Sequence, residues 1–279
     1  MKRALVLRAV AALCLVFAAA AAQAQFPGNV PDTFRLNLGG MYAWFNTEVT
    51  LEAAGAGGPS IDFEDALAVP RSRAGFYGHG SLNFGFLSFD VGYVGFSRTR
   101  TTSIGQDFVF GDTTYTVGAS VEATQKTQLP YGDIRFNFLH NPSTQLGVTV
   151  GVAYPILQAE ISASTGVIGP GGPIVGQTVT EEGEIKTPVP LLGIVFEAAL
   201  GDDVSAGIVF NGIFAPVHPY TGSIFQADAH VDWYFANHFG LGGAFNYTRF
   251  RIKKDDLPET LVDFRHDFYG PRAYLILTF

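Results

Sequence analysis

The chain ends Arg272-Ala273-Tyr274-Leu275-Ile276-Leu277-Thr278-Phe279. Neighbouring residues of an extended strand point to opposite faces. Counting back from Phe279, the residues Leu277, Leu275 and Ala273 therefore share one face with it, and that face is wholly apolar. The other face carries Arg272, Tyr274, Ile276 and Thr278. A strand that is apolar on one side, mixed on the other and closed by an aromatic residue sets the period to look for in the rest of the chain.

The same period of two recurs nine more times. Leu36, Leu38, Tyr42 and Trp44 alternate with Arg35, Asn37, Gly39 and Ala43. Phe76, Leu82 and Phe84 alternate with Tyr77, His79, Ser81 and Asn83. Further strands are carried by Phe89-Val91-Tyr93, Ile134-Phe136-Phe138, Leu146-Val148-Val150-Val152-Tyr154, Leu192-Ile194-Phe196, Ile208-Phe210-Phe214, Phe225-Val231-Trp233-Phe235 and Leu241-Phe245-Tyr247. Short connections at 84–86, 140–143, 201–203 and 237–239 alternate with longer ones at 46–70, 99–113, 166–188, 216–222 and 254–263. The least defined segments are Thr114–Tyr131 and the pairing after Ile174. Residues 25–279 contain no apolar run of eighteen, so no helix is predicted to cross a membrane. Hydrophobic residues nevertheless make up 47% of the chain and charged residues only 15%, below the roughly 25% charge of an ordinary soluble domain. Apolar residues spread over alternating strands reconcile the two. They predict a closed, antiparallel, up-and-down transmembrane β-barrel of about ten strands, with eight or twelve as the neighbouring counts. A secreted β-sandwich also alternates, but it has no need of so many aromatic residues at strand ends.

The first residues read as a leader. Lys2, Arg3 and Arg8 are basic, Ala9 to Phe17 are apolar, and Ala22-Gln23-Ala24 is a small-x-small cleavage pattern. The expected division is a signal peptide over 1–24 and a barrel domain over 25–279. Cys14, the one cysteine, falls inside the leader, so the remainder is predicted to have neither a disulfide framework nor a cysteine metal site. The net charge of −8 becomes more negative when the three basic residues of the leader are lost. With no basic stripe to follow phosphates, nucleic acid is excluded as a partner.

The C-terminal strand resembles the assembly signal of Gram-negative outer-membrane barrels, a terminal aromatic preceded by apolar residues at alternate positions. Ala273, Leu275, Leu277 and Phe279 fit it, although the family often has Tyr where this chain has Leu277. The stretches Ile61-Asp62-Phe63-Glu64-Asp65-Ala66-Leu67 and Phe110-Gly111-Asp112-Thr113-Thr114-Tyr115 resemble a group of small, mostly uncharacterised outer-membrane barrels. The resemblance implies the outer membrane of a Gram-negative bacterium as location. It implies outer-membrane lipid, lipopolysaccharide and the barrel-assembly machinery as partners.

Several groupings bear on chemistry. Asp228-Ala229-His230-Val231-Asp232 places two carboxylates and an imidazole on one strand face, as a general base would need. It resembles the Asp-His half of the omptin proteases but lacks their second acidic pair. The reading preferred here is a lumen charge network of Asp228, His230 and Asp232 with Arg35, Arg135 or Arg272. His79-Gly80-Ser81 followed by Asn83 resembles the His-x-Ser core of outer-membrane lipid A deacylases, yet both residues face the lumen, where a polar strand explains them. Asp62, Glu64 and Asp65 lack the spacing of a calcium loop and read as a solvated loop. Arg249, Arg251, Lys253 and Lys254 sit where a strand leaves the membrane, to meet lipopolysaccharide phosphates or to snorkel to the interface. No cofactor or metal motif is present. The inward set is Arg35, Arg73, His79, Asp90, Arg98, Asp133, Arg135, Glu197, Asp228, His230, Asp232 and Arg272. Ten strands leave an interior that side chains roughly fill. The expectation is a narrow or plugged barrel with a structural or surface-interaction role and no catalysis. The alternatives are a narrow pore for small solutes and an outer-membrane hydrolase.

Overall fold

The computed structural model describes residues 33–53, 60–105, 107–110, 113–141, 143–163, 166–169, 172–174, 178–217, 220–254 and 260–279. The predicted leader 1–24 and the tips of the Gly-rich loops lie outside these residues. The strands are β1 Phe34–Ala53, β2 Ser60–Asp62, β3 Ser72–Asn83, β4 Leu87–Ser103, β5 Phe108–Phe110, β6 Thr113–Tyr115, β7 Ser120–Asn141, β8 Thr144–Ala153 and β9 Ile156–Ala163. They continue with β10 Val167–Gly169, β11 Gly172–Ile174, β12 Val179–Lys186, β13 Val189–Ala199, β14 Val204–Val217, β15 Tyr220–Ala236, β16 Phe239–Lys254 and β17 Thr260–Thr278. One short helix, α1, spans Phe63–Ala66.

Ten staves make the ring: β1, β3, β4, β7, β8 with β9, β12 with β13, β14, β15, β16 and β17. All their pairings are antiparallel between chain neighbours, and β17 pairs with β1 from Arg35↔Thr278 to Ala53↔Thr260. The seam ends in a reciprocal pair of hydrogen bonds: Phe34 N donates to Phe279 O and Phe279 N to Phe34 O, both at 2.9 Å. Two staves are broken, at Tyr154-Pro155 and at Thr187-Pro188. A proline has no N–H for the ladder. The breaks lie side by side, since Ala153 pairs Val189 below them and Ile156 pairs Lys186 above. Tyr154 N instead donates to Pro130 O of β7 at 2.8 Å.

The short turns gather at one end. Gly85 makes the first with φ 75°, a conformation that favours glycine. In the next, Asn141 Oδ1 accepts from the N–H of Ser143 at 3.0 Å and of Thr144 at 2.8 Å. On the outer wall near these turns stand Phe84, Phe86, Phe138, Trp233, Phe235, Phe239 and Phe279. Farther up stand Tyr42, Trp44, Phe76, Tyr154, Phe225 and Tyr269, all exposed. Between the two aromatic rings the wall is mainly aliphatic, with Leu38, Val91, Val150, Ile194, Leu241 and Leu275 outward and Phe210 beside Ile194. An apolar band with an aromatic ring at each edge is the outer surface of a membrane-spanning barrel.

A bilayer needs about 9–11 residues per strand, yet β1 has 20, β7 has 22 and β17 has 19. The wall therefore continues past the upper ring, which corrects the expected loops. Residues 99–103 and 179–186 are strand, and Thr114–Tyr131 contributes the upper half of β7. Within the expected loop at 216–222 the strands continue, with Pro216 paired to Thr221 and Val217 to Tyr220. The phase of the pattern explains the difference. Inside the membrane the apolar residues point out, as Ile134, Phe136 and Phe138 do. Above it Val121, Ala123 and Leu129 of the same strand point in and are buried, while Glu122 and Lys126 face water. β8 and β9 invert likewise, from outward Val148 and Val150 to inward Leu157 and Ile161. A search for outward apolar residues ends at the inversion.

The inversion fills the upper interior. Phe45, Phe96, Phe250 and Phe268 meet across the lumen, with ring centroids 5.1 to 6.2 Å apart in the contacting pairs. Met41, Val94, Leu129, Leu191 and Ile224 complete the layer. Above it the four-stranded sheet β11-β10-β6-β5 covers a second apolar cluster around Leu67, Val69, Ile104, Tyr115 and Ile161.

Phe279 supplies the last two backbone bonds of the seam, and its ring meets those of Phe34 at 6.2 Å and His238 at 5.6 Å. Deleting it is expected to reduce the yield of folded barrel several-fold, read as the fraction showing heat-modifiable gel migration. Secretion of the chain should be unaffected, so periplasmic aggregate should rise in step. An unchanged folded fraction would mean that closure does not depend on this residue.

Candidate functional site

Below the phenylalanine layer the interior is polar and holds a cavity of about 240 Å³. Inward residues of nearly every stave line it. The predicted charge network is assembled here. Arg35 Nη2 lies 2.5 Å from Asp232 Oδ2, and Tyr274 Oη donates to Asp232 Oδ1 at 2.7 Å. Arg272 holds Asp228 in a two-pronged pair, 3.0 Å on each prong, and its guanidinium lies 3.9 Å from the centroid of the Tyr77 ring. His230 sits between the two carboxylates, with Nδ1 3.6 Å from Asp228 and Nε2 3.9 Å from Asp232. Arg135 does not join this group and does not pair with Asp228. It reaches Glu197 at 3.1 Å and Asp90 at 3.6 Å, and Asp90 also faces His79 Nε2 at 3.5 Å. The network is thus two ion-paired groups, one on β1, β15 and β17 and the other on β3, β4, β7 and β13, which meet where His230 and Glu197 both lie over Gly207.

Inward glycines make this reach possible. A side chain at Gly147 would lie 3.2 Å from Arg135 Cγ, so Arg135 passes over β8 to meet Glu197 on β13. Likewise Gly207 leaves room for His230, Gly151 for Asp133 and Gly92 for Tyr131. Two seats are tighter still: a Cβ at Gly193 would stand 1.8 Å from Asn211 Oδ1, and one at Gly242 2.0 Å from Tyr274 Cε2 and 2.5 Å from Asp232 Oδ1. Alternating small and large residues is how a narrow barrel fills its interior.

A third polar cluster lies above the upper aromatic ring, and the sequence reading missed it. Glu64, placed in a solvated loop by that reading, is buried. The stretch containing α1 folds into the barrel mouth. Glu64 there accepts from Thr47 N at 2.8 Å, Thr47 Oγ1 at 2.9 Å and Arg98 Nη1 at 2.7 Å. Arg98 also donates to Pro70 O at 3.0 Å and to Gln125 Oε1. His266 completes the cluster, with Nδ1 2.9 Å from Thr47 Oγ1 and Nε2 3.1 Å from Thr127 Oγ1. Its ring stacks against Phe45, Phe250 and Phe264. Parity along β4 placed Arg98 inside. The partner came from a loop, where no period operates. Asp62 and Asp65 differ from Glu64: Asp62 caps the N–H of Asp65 at 2.9 Å, and exposed Asp65 pairs with Arg71.

The remaining candidates are placed as follows. Ser81 Oγ donates to Asn83 Oδ1 at 3.2 Å, while His79 faces Asp90. Nucleophile and base therefore do not meet in the way a serine hydrolase requires. Arg73 is exposed. Arg249 lies above the upper ring in a two-pronged pair with Asp267 on the next strand, at 2.9 to 3.1 Å. The side chains of Lys253 and Lys254 lie outside the described residues. Ala273, Leu275, Leu277 and Phe279 all point outward. Among the described residues no cluster of three or more His, Cys, Asp or Glu has a metal-binding arrangement.

No family model and no curated protein sequence matches the chain. Among solved structures, the outer membrane protease OmpT from Escherichia coli superposes with a TM-score of 0.53 at 14% identity, over 89% of this chain and 97% of that one. The fold is that of an outer-membrane β-barrel. At such identity the likeness extends to the fold alone. The translocator domain of the autotransporter NalP from Neisseria meningitidis aligns over 91% of each chain with 12% identity and a TM-score of 0.42. The toluene transporter TodX of Pseudomonas putida aligns over 90% of this chain and 91% of that one, with 8% identity and a TM-score of 0.35. In barrels of this fold the short turns face the periplasm and the long extensions the exterior.

Removing one member of a buried ion pair costs about 3–5 kcal/mol, since the other charge is stranded, while removing both costs less. Arg272→Ala and Asp228→Ala are each expected to lower urea stability in detergent by an amount of that order. The double variant should fall short of the sum by about 1–3 kcal/mol. Arg135→Ala with Asp228→Ala should fall short of its sum by less than the Arg272 and Asp228 pair does, because the two residues do not touch and are linked only through Glu197 and His230.

Burial holds the His266 imidazole down at a pKa of about 3, and the nearby Arg98 charge acts in the same direction. In the unfolded chain its pKa is about 6.5. Between these values the unfolded state binds a proton that the folded state refuses, so this group makes stability fall as pH is lowered, by up to about 1.4 kcal/mol per pH unit. His266→Asn should remove that component. Urea midpoints from pH 7 to pH 4 should fall less steeply for the variant than for the wild type. Parallel slopes would show that His266 takes up its proton in the folded barrel.

Proposed function

We propose that this chain is a closed outer-membrane barrel with a structural or surface-interaction role, acting through its extracellular extension rather than through its lumen. The observation that carries this reading is the phenylalanine layer. Phe45, Phe96, Phe250 and Phe268 close the interior at the level of the outer aromatic ring, and the Arg98–Glu64 pair holds α1 in the mouth above them. An ion crossing that layer would shed its water against apolar side chains, at a cost of several kcal/mol. The extension above it is folded on both faces. It presents Thr99, Glu122, Thr124, Lys126, Glu182, Glu184 and Lys186 to the exterior, a rigid polar surface suited to contact with other molecules. The proposed surroundings are outer-membrane lipid and lipopolysaccharide along the wall, with the barrel-assembly machinery acting on the last strand. On this reading the chain is not an enzyme, and two placements support it. His230 lies beneath the apolar layer, away from the exterior, and Ser81 is bonded to an amide rather than to an imidazole.

Planar-bilayer recording tests the reading against the narrow-pore alternative. The full-length folded protein is expected to give no steady conductance. Phe45→Ala combined with Phe268→Ala, which opens the middle of the layer, should introduce one. A steady ohmic conductance from the unaltered protein would overturn the proposal.

A further inference from the structure

Within the membrane each stave is bonded to a neighbour on both sides. Above it one seam of the wall stays open. β13 and β14 pair from Ala199↔Ser205 up to Leu192↔Gly212, and the ladder ends there. Gly212 stands beside Phe225, in the upper aromatic ring. Beyond it, Ile213–Val217 of β14 are bonded to β15 alone, and β12 is bonded along Val179–Lys186 to β9 alone. Among the described residues no ladder joins β12 to β14. Because β12 runs on into β13, its free edge is the one on the β14 side, so two unpaired edges border one opening. A free edge presents a row of N–H and C=O groups to any other chain, and folded proteins blunt such edges with prolines, bulges, charges or cover. β12 contains no proline, and its eight residues pair with β9 without a bulge. Only charge guards it.

The two faces of β12 define what such an edge accepts. Inward, Ile185 packs against Leu157, Ile252 and Phe264, so a strand laid alongside turns alternate residues toward an apolar surface. Outward stand Thr180, Glu182, Glu184 and Lys186, all exposed. Lys186 pairs with Glu184. Glu182 lies directly opposite Glu160 of β9, and among the described residues neither has a basic partner. Like charges facing each other across a sheet destabilise it, and a basic side chain placed beside them relieves this. We propose that the free edge of β12 binds an extended peptide of alternating apolar and basic residues, added as a further strand on the exterior side of the membrane. Main-chain bonds supply the affinity and alternate side chains the specificity. The proposal rests on the reading of the extension as a contact surface and names its partner. A second copy of the chain suits the edge poorly, since antiparallel pairing of β12 with itself about Gly183 sets Glu182 against Glu184.

The test is calorimetric titration of the full-length folded protein in detergent with three synthetic peptides as long as β12. The first alternates valine and lysine. The second has glutamate in place of each lysine. The third keeps the lysines but has its amide nitrogens methylated, so that it cannot join a ladder. The first is expected to bind saturably, and the other two about tenfold more weakly or not at all. Bound peptide should slow hydrogen exchange in Val179–Lys186. Glu160→Lys combined with Glu182→Lys changes two outward side chains of the extension. It should weaken the first peptide about tenfold and strengthen the second. Equal binding of the methylated peptide would reduce the contact to charge attraction and overturn the proposal. Undiminished affinity in the double variant would do so too, as would a barrel that sediments as a dimer with β12 already protected. The comparison of peptides on the unaltered protein stands even if the variant folds poorly. Absence of binding by a barrel silent in planar bilayers would overturn this proposal alone. Steady conductance with binding intact would overturn the closed-barrel reading alone.

Discussion

No water reaches the backbone amides of a strand inside a bilayer, so each must be bonded to another strand. A sheet meets that demand only by having no edge. Everything else in this molecule follows from the closure of β17 on β1. It sets the two chain ends of the sheet side by side and fixes inside and outside along every stave. It also leaves ten strands enclosing an interior that side chains must fill. The proline breaks keep to the rule: Pro155 and Pro188 stand at the level of Tyr154, in the upper aromatic ring, where the wall leaves the hydrocarbon and water can serve an unpaired group.

The solvent outside the wall changes from lipid to water at that ring, and the sequence pattern changes phase with it. Within the membrane the outward positions must be apolar and the inward ones are free to be polar. Beyond it, outward positions must be polar, and the inward ones become the core of an ordinary folded protein. One stave such as β7 thus carries two patterns in succession, with Phe136 out and Leu129 in. The consequence for function is the phenylalanine layer. The interior passes from a polar cavity to an apolar layer to a buried Arg98–Glu64–His266 cluster.

Charges enclosed in so narrow a space must be paired. The arginines meet that condition by lying across inward glycines to reach carboxylates one or two strands away. The cost of a stranded charge, several kcal/mol, exceeds the cost of the glycines, about 1 kcal/mol each in a regular element, so the exchange is favourable. Asp133 is the exception within the cavity, where it stands opposite Asp90 on the neighbouring strand.

Residue order alone determined the class of this protein and the side on which most residues lie. Period two, low charge and the terminal strand ending at Phe279 specify a closed barrel, because lipid accepts only apolar side chains on the wall. The inward set from Arg35 to Arg272 follows by parity, since a strand has only two faces. Parity does not say which inward residues meet. That depends on register, on tilt and on where glycines open a path, which is why Arg135 pairs with Glu197 and not with Asp228. Nor does it report on loops. Glu64 is bonded in the barrel mouth and the extension above the membrane is folded, because contacts distant in the chain supply burial that no local pattern encodes. The class came from the solvent each face must meet. The pairings and the plug came from three-dimensional packing, where the deciding quantity is distance between side chains rather than their order.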